Sequence, residues 1–119
     1  MTIGIVGSRT FDDYSVLKEY ILTKVNIEDI ECVISGGAKG ADALGERFAS
    51  EHSIPFVEFL ADWQRYGKSA GYRRNVTIVQ NVDRVFAFWN GKSKGTKNTI
   101  DIARTYNVQC DICYYEETQ

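Results

Sequence analysis

The sequence predicts a Rossmann-like α/β fold, a five-stranded parallel sheet of order 3-2-1-4-5 with helices on both faces. Three observations carry that reading. Short β-branched runs alternate with segments whose apolar residues recur every three or four positions, the pattern of βαβ units. Three of the four strand-to-helix turns are rich in glycine, hydroxyl and basic side chains. The chain has 119 residues, 44% of them hydrophobic and 25% charged, enough for one core and one domain spanning 1–119.

The elements follow in order. Thr2-Ile3-Gly4-Ile5-Val6 is a β-branched run that stops at Gly7-Ser8-Arg9, the form of a buried parallel strand meeting a turn. After Asp12-Asp13, either of which can cap a helix, Val16, Leu17, Tyr20, Ile21 and Val25 recur at helical spacing. Ile30 to Ile34 reads as a second strand ending at Ser35-Gly36-Gly37. From about Gly40 a second helix sets Ala41, Leu44, Phe48 and Ala49 on one face. Ser53-Ile54-Pro55 closes it, Pro55 being the only proline, and a third strand runs over 56–60. Residues 61–71 show no clean period and read as a loop holding Trp63 and Tyr66. A helix over 72–81, a strand over 84–89, a helix from about Thr96 to Tyr106 and a strand over 108–115 complete the chain. Such alternation implies right-handed crossovers, and with the first strand central, ligands belong at the carboxyl edge where the winding reverses.

Composition narrows the function classes. Net charge is −2, and the fourteen basic residues are spread along the chain, so long nucleic acid is not an expected partner and any anion must be held locally. Cys32, Cys110 and Cys113 leave no second pair for a four-cysteine zinc site, and Cys110-Asp111-Ile112-Cys113 reads as strand rather than the helix start of a redox motif. Asp12, Asp13, Asp42, Glu46, Asp62 and Asp101 define no metal cluster by their spacing; neither metal nor cofactor is expected. The apolar runs span only a few residues, and Met1 leads directly into a strand with no charged segment and apolar core before it, so a cytoplasmic location with no membrane partner is expected.

The turns carry the chemistry. Gly7-Ser8-Arg9, Ser35-Gly36-Gly37-Ala38-Lys39-Gly40-Ala41-Asp42 and Gly91-Lys92-Ser93-Lys94-Gly95-Thr96 should share one sheet edge. Glycine lets the backbone approach a phosphate, and the start of the following helix supplies amides and positive potential. Simple turn geometry stands as an alternative for the second and third motifs taken alone; convergence of the three is the stronger signal. The candidate ligand residues are therefore Gly7, Ser8, Arg9, Ser35, Gly36, Gly37, Lys39, Gly40, Asp42, Lys92, Ser93, Gly95 and Thr96, joined by Arg74 and Asn75 at the next helix start and by Trp89. Trp63, Tyr66 and Trp89 lie near this edge, where each either stacks on a base or packs in the core. His52, the only histidine, falls near the end of the second helix, away from that edge, and leaves no Ser-His or Cys-His pair to propose.

On these same motifs, with Arg74-Asn75 and Phe88 to Thr96, the chain resembles the YspA-like branch of the SLOG superfamily over nearly its whole length, from residue 2 to about 114. The superfamily includes LOG-type phosphoribohydrolases, molybdenum-cofactor carriers, DNA-processing A proteins and sensor domains of defence systems. The resemblance implies a Rossmann-like fold and a nucleotide-related ligand. LOG-type enzymes cleave the N-glycosidic bond of nucleoside monophosphates with an arginine, to which Arg74 looks similar, and a glutamate in a PGGxGTxxE pattern. Here Thr99 stands where that glutamate would be, and a neutral threonine cannot act as a general base or steady an oxocarbenium-like centre.

Three readings stand at this point. The first is a binding module, sensor or carrier, for a nucleotide, cyclic nucleotide or ADP-ribose-like molecule. The second is an N-glycosidic hydrolase in which Arg74 orients phosphate and Asp42 or Glu46 replaces the missing glutamate. The third is a module for single-stranded nucleic acid or protein. A homodimer is expected, because lone domains of this size often bury a helical face by pairing.

Overall fold

The computed structural model describes residues 1–37 and 39–117; Ala38 of the second glycine motif lies outside the described residues, as do residues 118–119. Strands β1 (Thr2–Gly7), β2 (Cys32–Ser35), β3 (Phe56–Glu58), β4 (Arg84–Trp89) and β5 (Gln109–Tyr114) form one sheet in the order β3-β2-β1-β4-β5, all neighbours parallel. The order is the expected one, and the winding reverses between β1 and β4.

Helices α1 (Tyr14–Lys24) and α2 (Ala41–Glu51) cover one face, packing Leu17, Ile21 and Phe48 on Ile3, Ile5, Phe86 and Phe88. Helices α4 (Ala70–Gln80) and α5 (Lys94–Thr105) cover the other, packing Ile78, Val79, Ile100 and Ala103 on Val6, Ile34, Val85 and Ala87. The central strands are therefore apolar on both faces, as β-branched runs without alternation require. Asp13 starts α1 by accepting a hydrogen bond from the Val16 amide at 3.1 Å, and His52 closes α2 with its ring Nδ1 2.9 Å from the Phe48 carbonyl oxygen.

The stretch expected as loop over 61–71 is more ordered than its lack of period implies. It holds a one-turn helix, α3 (Trp63–Tyr66), then a 3₁₀ turn over Gly67–Ser69, and α4 begins at Ala70 rather than Tyr72. The cause is local: Asp62 accepts from the Arg65 amide at 3.1 Å, and Gly67 ends the turn at φ +55°. A segment this short carries no readable apolar period.

On the β5 side, Arg84 donates to Asp111 at 2.6 Å and ties the edge strand to β4. Cys110 packs with the α4/α5 side of the sheet and Cys113 with the α1/α2 side, since residues three apart on a strand face opposite ways. Both thiols are free, and burial pushes that of Cys110 up to about 11. No helix among the described residues is long and apolar enough to cross a membrane.

Candidate functional site

The carboxyl ends of β1, β2 and β4 deliver the three glycine turns to one place. A cavity of about 310 Å³ lies there, at the winding reversal between β1 and β4. The β1 turn contributes Gly7 and Arg9, the β2 turn Gly36 and Asp42, helix α4 Arg74 and Asn75, and the start of α5 Ser93, Gly95 and Thr96; Val6, Ile78 and Thr99 complete its floor. A nucleotide-sized ligand needs roughly 300 Å³ or more.

The second turn explains its glycines. Gly40 precedes α2 at φ +77°, and a Cβ there would stand 2.4 Å from the Ser8 carbonyl oxygen, so only glycine lets the two turns pass. At Gly36 a Cβ would stand 2.7 Å from Arg74 Nη1, so the missing side chain is what admits the guanidinium. Asp42 is 6% exposed and accepts the Gly36 amide at 3.1 Å, closing the loop over the start of α2, where a negative charge also suits the helix dipole.

Arg74 is held in place before any ligand arrives. Its Nη1 donates to the Gly36 carbonyl at 2.8 Å and its Nε to Asn75 Oδ1 at 2.8 Å, while Asn75 Nδ2 donates to Asn98 Oδ1 at 2.9 Å. Asn75 thus spends its amide on orienting Arg74. The Arg9 side chain makes no hydrogen bond or ion pair among the described residues and is exposed at the rim, so the wall offers one cation tied to the protein and one without such a tie. An anion with several oxygens, phosphate above all, suits that pair and the two helix starts.

Other sequence candidates support the wall without lining it. Ser8 is buried, donates to Asn90 Oδ1 at 3.1 Å and accepts from the Asn90 amide at 3.3 Å, tying the β1 and β4 turns together. Ser35 is buried and accepts from the Gly37 amide at 3.3 Å. Trp89 donates its indole N–H to the Ser93 carbonyl at 3.0 Å and rests on Tyr114, bracing the start of α5. Gly37, Lys39, Gly40 and Lys92 sit on the same turns but off the cavity wall, and Glu46 is exposed on α2 away from it.

Asn90 heads the β4 turn but is absent from the candidate ligand residues. Its Oδ1 accepts from the amides of Lys92 and Ser93, both at 2.9 Å, as well as from Ser8, so one side chain shapes the whole β4 turn. Its Nδ2 donates to Glu117, which also accepts from Thr10 at 2.8 Å. Those bonds from Asn90 and Thr10 hold the Glu117 carboxyl below the usual range. An Asn-Gly pair after a strand is a turn signal that could have exposed Asn90; nothing local marks Glu117 or Asn98.

Residues 1–66 match the model of the YspA, cpYpsA-related SLOG family. The chain belongs to that SLOG family. A relative covers more of it: the Gene 61 protein of Mycobacterium phage D29 is 31% identical over 111 residues, spanning 87% of this chain and 89% of that protein. No solved structure matches the chain. The family match takes in the first two glycine turns of the cavity, while Arg74 and the β4 turn lie beyond it. A broader groove of about 420 Å³ runs outside α4, sharing Arg74 but walled by Leu60, Tyr72 and Tyr106 rather than by the turns. Among the described residues no group of three His, Cys, Asp or Glu side chains could hold a metal ion.

Proposed function

We propose that this SLOG protein is a nucleotide-binding module, a sensor or carrier, that holds the phosphate of a nucleoside monophosphate, cyclic nucleotide or ADP-ribose-like molecule in the cavity at the β1/β4 reversal. One observation carries the reading: three separate glycine turns and the pre-oriented Arg74 guanidinium wall a single cavity. Phosphate oxygens accept from Arg74, from Arg9 as it swings in, and from amides at the starts of α2 and α5; Asp42 faces a ribose hydroxyl. The three free cysteines suit a reducing cytoplasm, and the exposed Leu60, Tyr72 and Tyr106 outside α4 offer a surface for the homodimer.

A second reading, hydrolysis of the N-glycosidic bond of a nucleoside monophosphate, is favoured by the buried Asp42 carboxylate in the wall. Against it, Thr99 occupies the floor with its hydroxyl bonded to the Gly95 carbonyl at 3.3 Å and supplies no carboxylate.

The test is a thermal-shift screen against nucleoside monophosphates, cyclic nucleotides and ADP-ribose, with chromatography of each mixture for released base. Stabilisation without released base, lost in Arg74→Ala, is the expected result. Released base would replace the module by the enzyme, and no stabilisation by any nucleotide would sink both, because a ligand that binds only the native state must stabilise it.

A further inference from the structure

The cavity wall holds no aromatic side chain among the described residues, so a base has nothing inside it to stack on. Helix α4 carries the wall outward. Arg74, Asn75 and Ile78 line the cavity, and Gly71 extends the same stripe one turn toward the helix start, at spacings of three, four and seven.

The Trp63 indole lies against that glycine. Its Cη2 and Cζ2 stand 3.3 and 3.8 Å from where a Cβ on residue 71 would sit, so the absence of a side chain there lets the ring rest on the stripe. Yet 60% of Trp63 remains exposed. Burial is what usually rewards a tryptophan, and here most of the residue forgoes it. The α3 turn that carries the ring is set by its own Asp62 cap and by Gly67, which makes the position of the indole a local property of the chain.

We propose that Trp63 is the base platform of the site. The phosphate end of the ligand lies against Arg74, and the base leaves the cavity and stacks on the open face of the indole. This rests on the nucleotide reading above and adds to it a place for the planar heteroaromatic base, outside the cavity. Selection among bases is weak, because every base has a π face and stacking reads no hydrogen-bond edge.

The experiment titrates wild type, Trp63→Ala and Trp63→Phe with AMP and with ribose 5-phosphate, following heat and tryptophan emission. In wild type AMP quenches emission on binding. Trp63→Ala binds AMP about tenfold more weakly, the scale of one lost base stack, while its affinity for ribose 5-phosphate is unchanged. Trp63→Phe keeps a ring and recovers much of the AMP affinity; any quench that persists in it belongs to Trp89. Equal AMP affinity in wild type and Trp63→Ala, with ribose 5-phosphate still bound, overturns the platform alone. Failure of wild type to bind either probe overturns the nucleotide reading and the platform with it.

Discussion

Replacing Gly95 by alanine separates what the fold needs from what the ligand needs. Gly95 is the second residue of α5, and the Cβ that alanine would add meets no atom within 4 Å. Alanine is favoured over glycine inside a helix by about 0.5–1 kcal/mol. In the first turn about half of that is a fair expectation, so the unliganded variant should melt roughly 2 °C higher. The same methyl stands on the cavity wall beside Ser93 and Thr96, where a phosphate would approach the start of α5. Losing one charge-assisted hydrogen bond there weakens AMP binding by about tenfold or more. The assay is a pair of melts, without AMP and with AMP at about a hundred times the wild-type Kd, where wild type gains about 2.7 kcal/mol and the variant only about 1.4 kcal/mol. An unliganded melting temperature several degrees lower would show that the fold requires this glycine. An undiminished gain from AMP would show that residue 95 is not at the ligand.

Asn90→Ala removes the acceptor shared by Ser8 and the Lys92 and Ser93 amides, and should cost about 2 kcal/mol in a denaturant melt; a loss within error would mean that other contacts hold the β4 turn. At alkaline pH the sign is fixed by Tyr14, whose phenol is pushed up to about 12 from an unfolded value of 10, chiefly by burial, with the negative Glu51 carboxylate adding to the shift. The folded state then holds a proton that the unfolded state has lost, so stability present below pH 10 falls as pH rises toward 12. Cys110 adds a fall between its ordinary 9 and about 11. Melts of wild type and Tyr14→Phe across that range should diverge, and parallel curves would refute the assignment.

The sheet order was legible because its evidence is periodic and repeated: five apolar runs, each followed by a turn, leave little choice of topology once β1 is central. Element ends were less so. β2 starts at Cys32 rather than Ile30 and β3 stops at Glu58 rather than Leu60, since strand ends are set by register with neighbours. Glycines and the arginine marked the wall of the candidate site, because a backbone that must pass close to another group leaves glycine behind, as at Gly36 and Gly40. What stayed hidden were the long-range partners. Ser8 carries a hydroxyl in the right turn, yet it spends that hydroxyl on Asn90, eighty-two positions away. Asn75, a candidate ligand contact, lines the cavity, and nothing in its sequence neighbourhood shows that it also accepts from Arg74 with Asn98 behind it.

The most direct measurement is a map of backbone amide chemical shifts as AMP is titrated into the protein. If the phosphate enters the cavity at the β1/β4 reversal, the largest changes fall together on Gly7, Gly36, Asp42 and Ser93 through Thr96, three turns far apart in sequence. Changes confined to Thr77, Tyr106 and the outer face of α4, or no saturable change at all, would contradict the account.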